Sequence, residues 1–220
     1  MDPTPSAPLI YQLKIVLRDV TPMIWRRLLV TNTTTIADLH AFIQIAMGWE
    51  DLHLHQFRIY GKAYGIYRDG GMTFADNPHQ VRLADFRLRA GERLLYEYDF
   101  GDGWQHDIWL ERILPHPSTQ DYPVCSAGGG DCPPEDCGGP AGYRALLRDL
   151  TSWDAVEIFE SDMSLIVERV LAFANGGPRP TTDDLDFMDA LERLQEREEW
   201  LPTVFDRRTV NRALRAIGKE

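Results

Sequence analysis

What the chain lacks narrows it before anything it contains. Its 220 residues hold three cysteines, an odd and small number that makes no disulfide framework. In a reducing compartment those thiols are buried or they ligate a metal. No stretch approaches the ~20 apolar residues of a membrane helix. The longest runs, Leu165-Ile166-Val167 and Val170-Leu171-Ala172-Phe173-Ala174, are split by Glu168 and Arg169. The first dozen residues have neither the basic start nor the apolar centre of a signal peptide. A soluble, cytoplasmic protein with no membrane partner is expected. Positive charge is scarce as well: 23 Lys and Arg stand against 34 Asp and Glu, for a net charge of −11. An average field of that sign repels polyanions and disfavours extended nucleic-acid binding, although local basic patches can override it. Walker, GxGxxG, HExxH, GxSxG and zinc-deaminase signatures are all missing.

What is present is ordinary globular composition, 44% hydrophobic and 10% aromatic. Residues 11–17 and 24–30 carry strand-like side chains, with a turn at Asp19-Val20-Thr21-Pro22. A helix signal follows. Thr35 and Asp38 have capping-box spacing, Ile36, Leu39, Ile43 and Met47 recur at helical period, and Gly48 suits the stop. Residues 54–60 return to strand character, 64–77 are Gly-rich, and 81–86 hold a short apolar segment. Residues 93–100 and 104–113 form a candidate hairpin. A Gly/Pro/Cys loop spans 115–142. Helical patterns then cover 143–150, 161–174, 183–199 and 206–217, broken by Asn175-Gly176-Gly177-Pro178. The reading is an α+β fold: a mixed or antiparallel sheet with a helix on one face (1–149), followed by a helical C-terminal extension (150–220).

Two segments carry the chemistry. In Tyr96-Glu97-Tyr98-Asp99-Phe100-Gly101-Asp102-Gly103-Trp104-Gln105-His106, acids and a histidine crowd a turn. A two-residue loop at Asp102-Gly103 would set Asp99 opposite His106; a three-residue loop would set Tyr98 there instead. A purely structural turn built by Asp102 is the alternative. In Cys132-Pro133-Pro134-Glu135-Asp136-Cys137-Gly138-Gly139, prolines stiffen a loop dense in ligand atoms. Cys125, Cys132 and Cys137, completed by His106, would make a tetrahedral zinc site, and zinc is the candidate cofactor. Buried thiols, or a Cys132–Cys137 bridge, are the alternatives. Glu135 and Asp136 are hard ligands or solvated acids. His53 and His55 lie two apart on a predicted strand and so share a face, which suits two imidazoles on one ion or an ordinary edge pair. His40 reads as a packed, satisfied histidine. Arg207, Arg208, Arg212, Arg215 and Lys219 on the last helix follow eight acids between Asp183 and Glu199. They pair with those acids, form a solvated face, or make a small phosphate-binding patch.

In one order along the chain come Ile24-Trp25-Arg26-Arg27, Leu39-His40, Gly48-Trp49 with His53-Leu54, the Tyr96–His106 segment, the Cys132–Gly139 segment and Gly142-Tyr143. Together they resemble the plasmid pRiA4b ORF-3-like family, some members of which are passenger "TnpR" proteins of insertion elements. The likeness covers about residues 10–149 and resumes at Glu199-Trp200 and Phe205-Asp206 through Asn211, leaving Thr151 to Glu198 as an apparent insertion. It implies an α+β fold and a mobile-element setting. No serine or tyrosine recombinase constellation accompanies it.

The functional expectation is a non-catalytic binding or accessory module. Its pocket, lined by Tyr98, Asp99, Asp102, Trp104, His106, Glu135 and Asp136, would take a protein or small-molecule partner. The alternative is a metal-dependent enzyme, hydrolase-like, using the same pocket.

Overall fold

Alternation of buried and less buried residues marks the longer strands of the sheet. In the computed structural model, which describes residues 8–67, 71–117 and 120–217, seven strands form a single sheet. They are β1 (Leu9–Leu17), β2 (Trp25–Thr31), β3 (His55–Ile59), β4 (Lys62–Tyr64), β5 (Arg93–Tyr98), β6 (Trp104–Pro115) and β7 (Val124–Gly129). Their order is β4-β3-β5-β6-β1-β2-β7, and every pairing is antiparallel. Leu13, Ile15, Leu28, Val30, Phe57, Tyr96, Trp104 and Ile108 are all buried. The residues between them carry charge: Arg18 and Arg93 both meet Asp107, and Arg27 meets Glu111. One face thus packs on the core while the other is polar, as antiparallel sheets allow.

The chain crosses from β2 to β3 through helix α1 (Ile36–Met47). Thr35 Oγ1 accepts the Asp38 amide and Asp38 accepts the Thr35 amide, each at 3.1 Å, which is the expected capping box. Gly48, at φ 90°, ends the helix. The stripe Ile36, Leu39, Ile43 and Met47 is fully buried, as its spacing predicts. The short apolar segment at 81–86 contains a 3-10 turn, Leu83–Phe86.

Two strands escape the sequence pattern. β4 is three residues long, and β7 lies inside what reads as an irregular loop because its Gly-rich sequence carries no alternation. β7 is an edge strand, and helix α5 (Arg207–Ile217) covers it. Asn211 accepts the Cys125 amide at 2.8 Å and donates to the Cys125 carbonyl at 2.9 Å, so one side chain closes a free stretch of sheet edge. Just before α5, Cys132 and Thr203 exchange both backbone hydrogen bonds. Arg26 is buried beneath this strap. Its guanidinium donates to the carbonyls of Ala46, Trp25, Gly129 and Gly130, and Phe205 stacks on it at 4.1 Å.

By contacts the chain divides into Met1–Pro140 with Thr203–Glu220, and Ala141–Pro202. The division therefore differs from the boundary expected at 149/150. The last helix belongs with the sheet because its apolar side, Val210 and Leu214, is buried and its polar Asn211 pairs with β7. Lys219 lies outside the described residues. In the second unit, α2 (Gly139–Leu150, whose first two residues belong to the sheet unit) leads into α3 (Trp153–Ala174) and α4 (Leu185–Glu199). α3 starts earlier than its apolar pattern predicts, at the Ser152 cap, whose hydroxyl accepts the Ala155 amide. Arg193 grips Asp162 with two hydrogen bonds, at 2.9 and 2.6 Å, joining α4 to α3. No helix among the described residues is long and apolar enough to cross a membrane.

Candidate functional site

Neither expected hairpin register is present. Tyr98 pairs with Trp104 and Tyr96 with His106, so five residues, Asp99 to Gly103, make the connection. Asp99 itself lengthens the turn. Its Oδ1 accepts the Gly101 amide at 2.9 Å and the Asp102 amide at 3.3 Å, and its carbonyl accepts the Gly103 amide. Asp99 therefore caps the hairpin rather than facing His106, whose ring points into the core.

The hairpin tip and the Cys loop do meet. Asp102 accepts the Gly138 amide at 3.1 Å. A Cβ on Gly139 would lie 2.1 Å from the Asp102 carbonyl oxygen, and Gly139 has φ 66°, so this approach requires glycine twice over. The Tyr98 hydroxyl donates to Glu135 and accepts the Leu52 amide, while Glu135 also accepts the Glu50 amide. Burial, then the Glu135 carboxylate, hold the Tyr98 phenol far above its usual range, so it stays a donor. Trp49 stacks on Tyr98 with ring centroids 5.0 Å apart and donates to the Pro133 carbonyl at 3.0 Å. Trp104 is buried against Trp49. Three chain segments are thus locked at one rim of the sheet.

At that rim the ligand atoms of His53, Asp99 and Asp136 lie within 4.8 Å of one another. His53 Nε2 is 3.1 Å from Asp136 Oδ1 and 3.8 Å from Asp99 Oδ2, and it makes no hydrogen bond among the described residues. Two ligands on one ion with bonds of about 2.1 Å lie roughly 3 to 3.4 Å apart, so the His53–Asp136 distance suits a shared ion and the His53–Asp99 distance is somewhat longer. Asp99 is 9% exposed, His53 26% and Asp136 64%, which leaves one side of the set open to solvent. Asp99 and Asp136 both have left-handed backbones, φ 54° and 59°. Such conformations concentrate where a side chain must be aimed.

A second group sits deeper. His40, Asp51 and His55 also bring ligand atoms within 4.8 Å of one another. The His40 ring bonds Tyr96 Oη and Asp51 Oδ1, each at 2.8 Å, and stacks on His55 with centroids 3.5 Å apart. His40 is the packed and satisfied histidine the sequence predicts. Its partner Asp51 was not foreseen; the only signal was an acid just past the helix stop at Gly48.

The structure separates His53 from His55. β3 begins at His55, so His53 lies before the strand and the alternation that would align the two does not apply. The three cysteines are free thiols, and no Cys132–Cys137 bridge forms. Cys125 and Cys132 are buried, and burial pushes both thiols up; that of Cys137 rises to about 11 for the same reason. His106 is fully buried, and burial lowers its pKa to about 3. The edge of Trp49 meets the His106 ring, so Trp49 touches both this core histidine and the Pro133 carbonyl of the loop. Among the described residues, neither group with metal-ligand spacing contains a cysteine or His106. Of the predicted site residues, Asp99 and Asp136 join the open cluster, while Tyr98, Asp102 and Glu135 brace it. Trp104 and His106 belong to the core below.

Fold and rim together define a class: an α+β protein built on one antiparallel sheet, with an imidazole and two carboxylates assembled where hairpin and loop meet. The model of the plasmid pRiA4b ORF-3-like protein family matches residues 9–165, and the chain belongs to that family. It is 37% identical over 145 residues to the uncharacterized protein y4hQ of Sinorhizobium fredii (strain NBRC 101917 / NGR234), spanning 64% of this chain and 73% of that protein. The crystal structure of the protein of unknown function MM3350 from Methanosarcina mazei Go1 is similar with TM-score 0.66 and 30% identity, covering 93% of this chain and 97% of that one. Such coverage is too complete to omit residues 151–198, so the helical stretch is no insertion relative to that structure.

Proposed function

We propose that the chain is a binding module whose rim cluster, His53, Asp99 and Asp136, holds a divalent metal ion. One observation carries this reading: His53 Nε2 faces two carboxylates at near-ligand spacing without a hydrogen bond of its own. An imidazole with two carboxylates suits Mn²⁺ or Fe²⁺ better than the softer thiolate set does, and it can also take Zn²⁺. Tyr98, Glu135 and Asp102 would position the loop that brings Asp136 to the site. The setting would be that of an accessory protein of a mobile element, as the family resemblance implies.

Titration of the purified full chain with Mn²⁺ and Zn²⁺, read by calorimetry and elemental analysis, tests the reading. One ion per chain is expected. Asp136→Asn, which keeps the left-handed backbone tolerable, should weaken binding at least ~10-fold with an unchanged melting curve. A wild-type chain that binds neither ion at millimolar concentration, or variants that bind as well as wild type, would overturn it.

A second reading, a metal-dependent hydrolase, is favoured by the count of protein ligands. Three leave coordination positions open for water and substrate. Turnover of phosphate or carboxylic esters by the metal-loaded chain, lost in Asp136→Asn, would select it over simple binding.

A further inference from the structure

The net charge of −11 makes the distribution of arginine informative. Arg18, Arg27, Arg93, Arg169 and Arg193 are each paired with a carboxylate. Arg207, Arg208, Arg212 and Arg215 are different: among the described residues no carboxylate is ion-paired with any of them. Asp206, the nearest acid in sequence, is committed to the amides of Arg208 and Thr209 and the hydroxyl of Thr209. All four arginines line one cavity of about 860 Å³ between α5 and the edge of β7.

The cavity is constructed rather than incidental. Arg208, Arg212 and Arg215 are spaced i, i+4, i+7 and so form one stripe of α5. The opposite side of the helix, Val210 and Leu214, is buried and fixes which way that stripe turns. Asn211 clamps the helix to β7 through both Cys125 backbone groups, and Arg207 donates to the Ser126 carbonyl at 2.9 Å. Leu29 and Val124 supply an apolar wall. Like charges at i, i+4 destabilise a helix, so an unpaired stripe of this kind calls for a counter-charge.

We propose that this groove binds a small ligand carrying two or more linked phosphate groups. From Arg208 to Arg215 the helix rises about 10 Å, enough to engage more than one phosphate. Guanidinium forks match phosphate oxygens in bidentate geometry. The volume falls within the range of small-molecule sites, roughly 300–1,000 Å³. A long nucleic acid would run off the groove onto a strongly acidic molecule, so the ligand is short. Tripolyphosphate and a nucleoside triphosphate share this chemistry, and the affinity of each shows whether the apolar wall receives a base.

The test is calorimetric titration of the full chain with inorganic phosphate, tripolyphosphate, ATP and a 20-nucleotide single strand. Chelator is kept present so that no phosphate binds through a metal at the rim. Tripolyphosphate or ATP should bind at least tenfold more tightly than inorganic phosphate and should weaken as salt rises. Arg212→Gln should lower that affinity at least tenfold, and the triple replacement of Arg208, Arg212 and Arg215 by Gln should abolish it. These side chains are exposed, so the melting curves should hold. Asp136→Asn should leave this binding unchanged. Undetectable binding of tripolyphosphate and ATP at millimolar concentration and low salt, or binding indifferent to the triple replacement, would overturn the proposal. So would tighter binding of the single strand than of either small ligand.

Discussion

The sheet unit and the helical unit use apolar residues in opposite ways. In the first, Leu13, Leu28, Val30, Leu39, Ile43 and Phe57 have essentially no solvent exposure. In the second, Trp153 is 90% exposed, Leu185 69% and Leu171 55%, whereas Ala190 is fully buried. Leu185, Met188, Leu191 and Leu194 keep helical spacing on α4, but Leu185 and Met188 are exposed. Periodicity shows that a segment can be helical; it does not show how much water its apolar side loses. The helical unit holds its form through caps at Ser152 and Asp184 and through the Arg193–Asp162 and Arg169–Asp184 pairs. The sheet unit is held mainly by burial, the larger force per residue.

The contrast can be broken by mutation. Leu13→Ala, at the centre of the sheet, should lower stability by roughly 2–5 kcal/mol in chemical denaturation, since it leaves a cavity in a closed core. Loss of less than about 1 kcal/mol would mean the core relaxes around the site and is not tightly packed. Next comes acid. His106 has its folded pKa depressed to about 3 by burial, against about 6.5 in an unfolded chain. Between those values the unfolded chain takes up a proton that the folded chain refuses, so this residue makes stability fall as pH drops from about 6.5 towards 3. Denaturation curves for wild type and His106→Gln should therefore converge as the solution is acidified, and parallel pH profiles would show that His106 is not buried in its neutral form. The smallest effect belongs to the helical unit. Leu171→Ala should change stability by no more than about 0.5 kcal/mol, because its side chain is already half in water. A loss comparable to that of Leu13→Ala would show that α3 has a covered face in solution and would erase the contrast.

Local signals were legible wherever the chain alone supplies both partners. Thr35 and Asp38 form their capping box within one turn, and the α1 stripe follows from one period. The hairpin was legible as a hairpin but its register was not. Asp99 accepts two amides of the turn and so inserts residues that ordinary loop lengths do not count. β7 was missed because its pairing with β2, about a hundred residues away, replaces the alternation it lacks. In the rim cluster, Asp99 and Asp136 were legible as chemistry at a bend, whereas His53 was read beside His55 and in the structure lies near these two carboxylates instead. The cysteines looked like ligands by spacing along the chain, but among the described residues neither group with metal-ligand spacing includes one.

By itself the sequence determined most of the strands and helices, though not β4, β7 or the start of α3, as well as where α1 starts and stops, and that carboxylates and imidazoles would gather near the Tyr96–His106 and Cys132–Gly139 segments. Those follow from local sterics, capping and side-chain period, which need no distant residue. Only the tertiary structure decided that His53 meets Asp99 and Asp136 while His106 goes to the core. These side chains come from three separated segments. Their meeting depends on the pairing of His55 with Tyr98, the Trp49 bond to Pro133, and the fit of Gly139 against Asp102. The same holds for the groove beneath α5, whose arginines were visible as a charged stripe but acquired a wall only when Asn211 bonded the edge of β7.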